Sequence, residues 1–262
     1  MANSLGNIGI VFSENEEYSK ALEYYSRAIK IMEELGNKVG EGILLGNSGL
    51  AYFNQGEYSN AFECYFKSLT ISAKLGNKGE MAFVWNNIGL VYGKQGDHAK
   101  EMNAFFNALH INEEIGNKKG IAVQLGNIGL QYTNQKRYKE SEQYLLRALK
   151  MSDSIGAIYY QKDHHEFLCW LYKKTGRFNE ALVHFEKYIL LKDSIFKIDN
   201  QKEIIRKQMK FDYEKKATAD SVKNAEEQKV KEAQIQAQNA QTKQEQIQRY
   251  ALYGGLALVI LF

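Results

Sequence analysis

Leu125-Gly126-Asn127-Ile128-Gly129 belongs to a set of near-identical five-residue segments that recur every 40 residues. The other members are Leu5-Gly6-Asn7-Ile8-Gly9, Leu45-Gly46-Asn47-Ser48-Gly49 and Trp85-Asn86-Asn87-Ile88-Gly89. A fixed period of this length is typical of proteins that stack one supersecondary unit many times, so that each unit buries its apolar face against its neighbours. The function of this chain is therefore to be sought on the surface that the stack forms.

Other positions recur with the same period. The tripeptide Gly-Asn-Lys stands at residues 36–38, 76–78 and 116–118, and we interpret it as one turn. Glycine lacks Cβ and adopts the left-handed conformation that ends a helix, so each repeat is predicted to be a helical hairpin. First helices are predicted near residues 2–14, 42–54, 82–94, 122–134 and 162–174, and second helices near 18–34, 58–74, 98–114, 138–154 and from 178 onward.

Glycine also has two predicted roles inside the hairpins. Gly56, Gly96 and Gly176 supply the tight reversal between the two helices. Glu16 and Lys136 stand at the equivalent places in repeats one and four, where we expect strained turns. The glycine that closes each recurring segment is predicted to let the two helices of a hairpin approach closely, with small residues opposite; these glycines are Gly9, Gly49, Gly89 and Gly129.

The order Trp85-x2-Ile88-Gly89-x2-Tyr92, with Ala61 or Ala181 and an aromatic residue at 25, 65, 105 and 185 further along, resembles the tetratricopeptide repeat. The resemblance covers roughly residues 2–195. The period of 40 rather than 34 and the missing closing proline depart from that family, and both indicate longer helices. The resemblance implies an all-α, right-handed superhelical solenoid of about five hairpins, near residues 2–40, 41–80, 81–120, 121–160 and 161–195, followed by a long C-terminal helix.

The family resemblance also implies a binding surface, because the first helices of tetratricopeptide arrays line a concave groove. Amide side chains there can hold the backbone of an extended peptide, since each amide both donates and accepts hydrogen bonds. The asparagines could equally bond to a neighbouring helix, and the leucines could be core between repeats. The candidate groove residues are the asparagines Asn7, Asn47, Asn87 and Asn127, the apolar residues Leu50, Leu90 and Leu130, and the polar rim Asn54, Lys94 and Asn134.

Composition argues against several other classes of function. The net charge is only +3 and basic residues are interspersed with acidic ones, so the chain lacks the basic patch that nucleic acid requires. No phosphate loop, nucleophile elbow or zinc-protease motif occurs, and within these residues we expect neither enzyme activity nor a cofactor, although an output module after Phe262 could be a kinase, phosphatase or cyclase. Cys64 and Cys169 are interpreted as isolated thiols. The adjacent His164 and His165 point about 100° apart on a helix and are not expected to chelate one metal ion.

The C-terminal part changes character twice. Residues 196–249 are rich in Gln, Lys, Glu and Ala and predict one long polar helix, either a lone solvated helix or linker or a coiled-coil stalk that joins two copies. Residues 250–262 are uncharged, and we interpret them as the start of a truncated transmembrane helix, with a docked C-terminal segment as the alternative. The thin heptad seam of the stalk would consist of Val230, Ala233, Ala237, Ala240, Gln244 and Ile247.

These features together resemble the sensor region of bacterial membrane-anchored tetratricopeptide histidine kinases and related signalling proteins. The resemblance implies a peptide or protein ligand in the groove and an anchor in the bacterial inner membrane, with the repeats more often on the periplasmic side. Possible homodimerisation would involve the C-terminal helix. Two alternatives remain open: a static membrane-tethered assembly adaptor, and a soluble peptide receptor.

Overall fold

The structure, a computed structural model, describes residues 2–260; beyond residue 205 it describes only some side chains, and none after residue 246. The all-α prediction is confirmed, because consecutive helical hairpins occupy the first part of the chain. The chain divides into two compact units, Met1–Ile195 and Phe196–Phe262. The helices are α1 (Ala2–Glu14), α2 (Tyr18–Glu34), α3 (Lys38–Asn54), α4 (Tyr58–Leu75), α5 (Lys78–Lys94), α6 (His98–Glu114), α7 (Lys118–Asn134), α8 (Tyr138–Ser154), α9 (Ile158–Lys174) and α10 (Phe178–Ile260).

The first helices α3, α5 and α7 begin four residues earlier than the sequence predicted. Each begins at the lysine of the Gly-Asn-Lys tripeptide. The asparagine is an N-cap whose side chain accepts a hydrogen bond from the backbone N–H three residues later: Asn37 from Gly40 at 3.0 Å and Asn77 from Glu80 at 3.2 Å. The tripeptide therefore joins a left-handed glycine that ends one helix to an asparagine that starts the next.

The two expected strained turns are present. Glu16 has φ 62° and Lys136 has φ 59°, in the left-handed region that non-glycine residues rarely adopt. Gly56 and Gly96 occupy the equivalent places in repeats two and three with φ 80° and 77°. The backbone thus makes the same reversal in all four hairpins, and repeats one and four make it without glycine.

Close contact between a glycine of the first helix and a large side chain of the second occurs in the first four hairpins. A Cβ built on Gly89 of α5 would lie 2.6 Å from Cε1 of Phe105 in α6, well inside van der Waals contact. Gly9 and Gly49 meet Tyr25 and Tyr65 in the same way, and these two rings are almost completely buried. The small residues Ala28, Ser68, Ala108 and Ala148 of the second helices are all fully buried.

The hairpins stack by two kinds of contact. Each second helix packs against the first helix of the next repeat, as α2 does against α3 and α6 against α7. Successive first helices also approach one another, with Cα atoms within 8 Å between α1 and α3, α3 and α5, and α7 and α9. Within residues 2–195 the second helices do not approach one another to this extent. The stack is therefore more closely spaced on its first-helix side, which is the geometry of a concave wall.

The predicted membrane anchor is wrong. Within residues 2–260, none of the helices combines the length and the apolar content that crossing a membrane requires. Leu261 and Phe262 lie outside the described residues. The predictions of a location at the bacterial inner membrane and of the membrane as a partner depended on this anchor and are therefore not supported.

The second unit, Phe196–Phe262, contains the C-terminal portion of α10. Val230 of the predicted heptad seam is exposed. The side chains of Ala237, Ala240 and Ile247 lie outside the described side chains. Homodimerisation through this seam stays a prediction.

A matched pair of glycine substitutions in α5 tests the hairpin contact. Gly89→Ala should lower the free energy of unfolding by about 1–3 kcal/mol, because the new methyl group overlaps the buried Phe105 ring. Gly79→Ala should raise it by up to about 1 kcal/mol, because a Cβ there meets only Asn77 Oδ1 at 3.7 Å and alanine favours the helix. Urea denaturation followed by circular dichroism measures both, and equal effects of the two substitutions would refute the contact.

Candidate functional site

One face of each first helix repeats the same sequence of side-chain types. Residues at i, i+4, i+7 and i+11 share a helical face, and in the central repeats this face carries an apolar residue, an asparagine, a leucine and a polar residue. We call it the first-helix face. It consists of Ile43, Asn47, Leu50 and Asn54 on α3, Phe83, Asn87, Leu90 and Lys94 on α5, and Val123, Asn127, Leu130 and Asn134 on α7.

The four predicted asparagines do not have equivalent environments. Asn7 is exposed, and Asn47 and Asn127 are half-buried. Asn87 is only 4% exposed, and its Nδ2 donates to the carbonyl oxygen of Phe83 in the same helix at 3.0 Å. The side-chain N–H of Asn87 is therefore bonded to the backbone of its own helix. Asn7 and Asn47 instead line a hollow of about 150 Å³ between α1 and α3.

The predicted apolar and rim residues lie beside this row. Leu50, Leu90 and Leu130 are half-buried, and Leu90 packs against the core cluster that contains Phe105. Leu130 lines an apolar hollow of about 440 Å³ together with Trp170 and Phe185. The rim residues Asn54, Lys94 and Asn134 are exposed.

Asn86 is the centre of an amide cluster that joins α5 to α7. Its Oδ1 accepts one hydrogen bond from Gln124 Nε2 at 2.8 Å and another from Asn127 Nδ2 at 3.1 Å. Gln124 is only 3% exposed, and its Oε1 is buried without a hydrogen-bond partner among the described residues. One predicted groove residue, Asn127, thus bonds across to the neighbouring first helix.

Asn86 also changes the spacing of the helices. Glycine holds the equivalent position in repeats one, two and four, and a Cβ there would lie 3.0 Å from Leu44 Cδ2 at Gly6 and 2.7 Å from His164 Nε2 at Gly126. Asparagine cannot be accommodated in so close a contact. Accordingly, α5 and α7 bring fewer Cα atoms within 8 Å of each other than the pairs α1/α3, α3/α5 and α7/α9 do.

A hollow of about 370 Å³ opens at this wider spacing. Its lining includes Asn86 and Gln124 together with the side chains of Phe83, Val123 and Tyr160. Lys119, an exposed residue, also borders it. The buried Asn112 lies on the α6 side, where its Nδ2 donates to the Ala108 carbonyl oxygen and its Oδ1 accepts from Asn117, so its hydrogen bonds are made within the protein.

Comparison with known families matches three segments of the chain, residues 2–34, 44–75 and 121–152, to tetratricopeptide repeat models. The chain carries tetratricopeptide repeats. Such arrays are protein-binding scaffolds and are typically non-catalytic. A search of curated protein sequences finds no match to this chain.

Solved structures share the fold of this tetratricopeptide array at low sequence identity. BtubC (BKLC) from P. vanneervenii is 17% identical with a TM-score of 0.65, over 74% of this chain and 80% of that one. A putative kinesin light chain with nearly identical repeats from Podosopora anserina is 12% identical with a TM-score of 0.58, over 74% and 95%. Aspartyl phosphate phosphatase F from Bacillus subtilis is 13% identical with a TM-score of 0.60, and the match spans 73% of this chain and 59% of that protein.

Reasoning from the sequence missed Asn86, Gln124 and the apolar positions Ile43, Phe83 and Val123 in these repeats. Two signals were available. Asn86 replaces the glycine found at 6, 46 and 126, and Gln124 replaces the apolar residue found at 44 and 84. The residues that the repeats share point to Asn87 and its equivalents. Asn86 and Gln124 differ from the repeat, and that difference is the signal.

Histidines occupy the next inter-repeat contact of the tetratricopeptide array. His164 lies against Gly126, and its Nδ1 is 3.1 Å from Ser152 Oγ. Burial lowers the pKa of His164 to about 4, although Asp163 opposes the shift. Burial and the neighbouring His184 also lower the pKa of His165 to about 4, and the Nδ1 atoms of His165 and His184 lie 2.7 Å apart. Among the described residues, no group of three potential metal ligands comes together.

Acid should therefore destabilise the array below neutral pH. The unfolded chain takes up protons on histidine near pH 6.5, whereas folded His164 stays neutral until about pH 4, so stability is full above pH 6.5 and falls as pH drops through this window. Lowering the pH from 7.5 to 5.5 should reduce the free energy of unfolding by about 1 kcal/mol through His164. His164→Leu, which copies Leu44 against Gly6, should remove that share in urea titrations at the two pH values. An unchanged pH dependence in this variant would contradict the assignment.

Proposed function

We propose that this chain is a scaffold that binds an extended segment of a peptide or protein along the first-helix face. The observation that carries the proposal is a pair of amide-bearing hollows between first helices. Asn7 and Asn47 line the hollow between α1 and α3, and Asn86 and Gln124 line the hollow between α5 and α7. These amides stand on the more closely spaced side of the stack.

The chemistry of the face suits a main chain in extended conformation. Asparagine side chains offer both a donor and an acceptor, so they can pair with successive peptide groups whatever the ligand side chains are. Apolar surface flanks the amides: Ile43 is 40% exposed and Phe83 is 36% exposed on the same helical face. Hydrogen bonds to the backbone would supply affinity in general, and apolar contacts would select side chains.

The far end of the face offers an anchor for an apolar side chain. The hollow of about 440 Å³ between α7, α9 and the start of α10 is walled by Leu130, Phe167, Trp170 and Phe185. Recessed aromatic pockets of this kind contribute much of the binding energy at protein interfaces. The proposal therefore describes one continuous ligand path, with amides along α1 to α7 and an aromatic pocket at its end.

This proposal concerns binding alone. A sensor would require that the bound ligand change the shape of the solenoid, whereas an assembly adaptor would only hold partners together. Both roles stay predictions. Both forms need the same surface.

Selection from a displayed library of random 12-residue peptides tests the proposed surface with the full chain as bait. Enriched peptides should bind the wild-type protein, and the double variant Asn7→Ala/Asn47→Ala should bind them about tenfold more weakly, because two hydrogen bonds are each worth about 0.5–1.5 kcal/mol. Asn87 and Asn127 are left unchanged because their donors already bond to Phe83 and Asn86. Fluorescence anisotropy with labelled peptides measures the affinities.

Asn103→Ala, an exposed substitution on the second helix α6, is the matched control and should leave binding unchanged. Replacing single peptide bonds of the ligand by N-methyl amides should weaken binding wherever the chain accepts a backbone hydrogen bond. A library that yields no binding peptide, or peptides that bind the double variant and the wild type equally, would refute the first-helix face as the binding surface.

A further inference from the structure

Two departures from the repeat meet in one contact between α5 and α7. Asn86 stands where repeats one, two and four have glycine, and Gln124 stands where the two preceding repeats have Leu44 and Val84. Their side chains bond to each other, Gln124 Nε2 to Asn86 Oδ1, at 2.8 Å. The chain makes the equivalent contact between α1 and α3 with Gly6 and Leu44. Where α1 and α3 make a close contact between glycine and leucine, α5 and α7 thus have a pair of amide side chains.

The amide pair is incomplete as a structural element. Gln124 is 3% exposed, and its Oε1 is a buried acceptor with no partner among the described residues. A buried polar atom without a hydrogen bond lowers stability, so such atoms require an explanation. Because Asn86 Oδ1 already accepts two hydrogen bonds, the part of Asn86 that remains for a ligand is the donor Nδ2.

The space beside this pair fits a side chain. The hollow of about 370 Å³ is many times larger than the roughly 30 Å³ that one water molecule occupies in the liquid. Phe83, Val123 and Tyr160 wall it, and Gly79 and Gly120 leave room near the helix starts. A group that enters would meet Gln124 and Asn86 in a lining that also contains the amides of Asn112 and Asn117. The amides of Asn112 and Asn117 already bond to each other.

The polar groups around the hollow disfavour ionic ligand groups for two different reasons. The positive charge of Lys119 at its border disfavours an ammonium or guanidinium group. A carboxylate would be attracted by Lys119, but it offers only acceptors and would place an oxygen against the unpaired Oε1 of Gln124. A primary carboxamide is neutral and carries a donor and an acceptor side by side, which complements Gln124 Oε1 and Asn86 Nδ2 together.

We propose that the hollow between α5 and α7 is a specificity subsite that binds the primary carboxamide of an Asn or Gln side chain in the ligand. This subsite depends on the proposed function in one respect: the carboxamide is taken to belong to a bound peptide. The ligand's NH2 donates to Gln124 Oε1, and its carbonyl oxygen accepts from Asn86 Nδ2. Peptides selected by the full chain should therefore favour Asn or Gln at one position.

A small-molecule probe tests the subsite without any peptide. Propionamide, added to the isotopically labelled full chain, should shift the side-chain NH2 resonances of Gln124, Asn86 and Asn127 in NMR spectra, saturating at millimolar concentration. Propionate and propylammonium have nearly the same size and should leave these resonances in place, because neither supplies the donor and acceptor pair in neutral form.

Three variants separate binding from folding. Gln124→Leu copies Leu44 and should abolish the propionamide shifts of Asn86 while keeping the melting temperature equal or higher, since the unpaired acceptor is gone. Asn86→Gly restores the glycine of the other repeats and should close the hollow, with the same loss of binding. Gln131→Leu is the matched control: Gln131 is also 3% exposed on α7 with one buried unpaired atom, but it does not line the hollow, and its loss should leave propionamide binding unchanged.

The possible results distinguish the subsite from the proposed function. Propionamide binding that depends on Gln124 supports the subsite even if no peptide library member binds the chain. If propionamide, propionate and propylammonium act alike, or if Gln124→Leu and Gln131→Leu lose binding equally, the subsite is refuted. Peptides that bind the first-helix face but show no preference for Asn or Gln, and bind Gln124→Leu as well as wild type, would refute the subsite and leave the proposed function standing.

Discussion

The close contact of a glycine in the first helix with a large side chain in the second helix, found in the first four hairpins, is the constraint on which this architecture depends. Without a Cβ at Gly9, Gly49 and Gly89, the rings of Tyr25, Tyr65 and Phe105 pack directly against the helix backbone and become almost fully buried. Each hairpin therefore has one fixed separation and one fixed register. Because the contact recurs every 40 residues, equivalent side chains of successive first helices fall into rows, and the proposed binding face is one of those rows.

The same packing rule explains the exception between repeats three and four. Glycine at 6, 46 and 126 lets neighbouring first helices approach, and asparagine at 86 does not. A larger hollow lies between α5 and α7 than between α1 and α3, where glycine keeps the regular contact. In a stack whose stability comes from regular neighbour contacts, a departure of this kind reduces packing, and here two departures bond to each other.

Much of the fold could be predicted because helix-ending signals and packing residues are local and recur. Glycine at 36, 76 and 116 and the strained turns at Glu16 and Lys136 follow from backbone sterics alone. The starts of α3, α5 and α7 were misplaced by one turn, because the asparagine of Gly-Asn-Lys was interpreted only as part of a turn and not as a cap. The membrane anchor was predicted from a short apolar stretch alone. No helix within residues 2–260 is long and apolar enough to cross a membrane.

The sequence by itself determined the repeat, the hairpins and the row of asparagines, since periodicity and helical geometry place equivalent residues on equivalent faces. Only the tertiary structure decided what each amide does. It showed Asn87 bonded to its own helix, Asn127 bonded to Asn86, and Gln124 buried with an unpaired oxygen. The physical reason is that a side chain's hydrogen bonds depend on how far the neighbouring helix stands away, and that distance is set by the residues of two different repeats together.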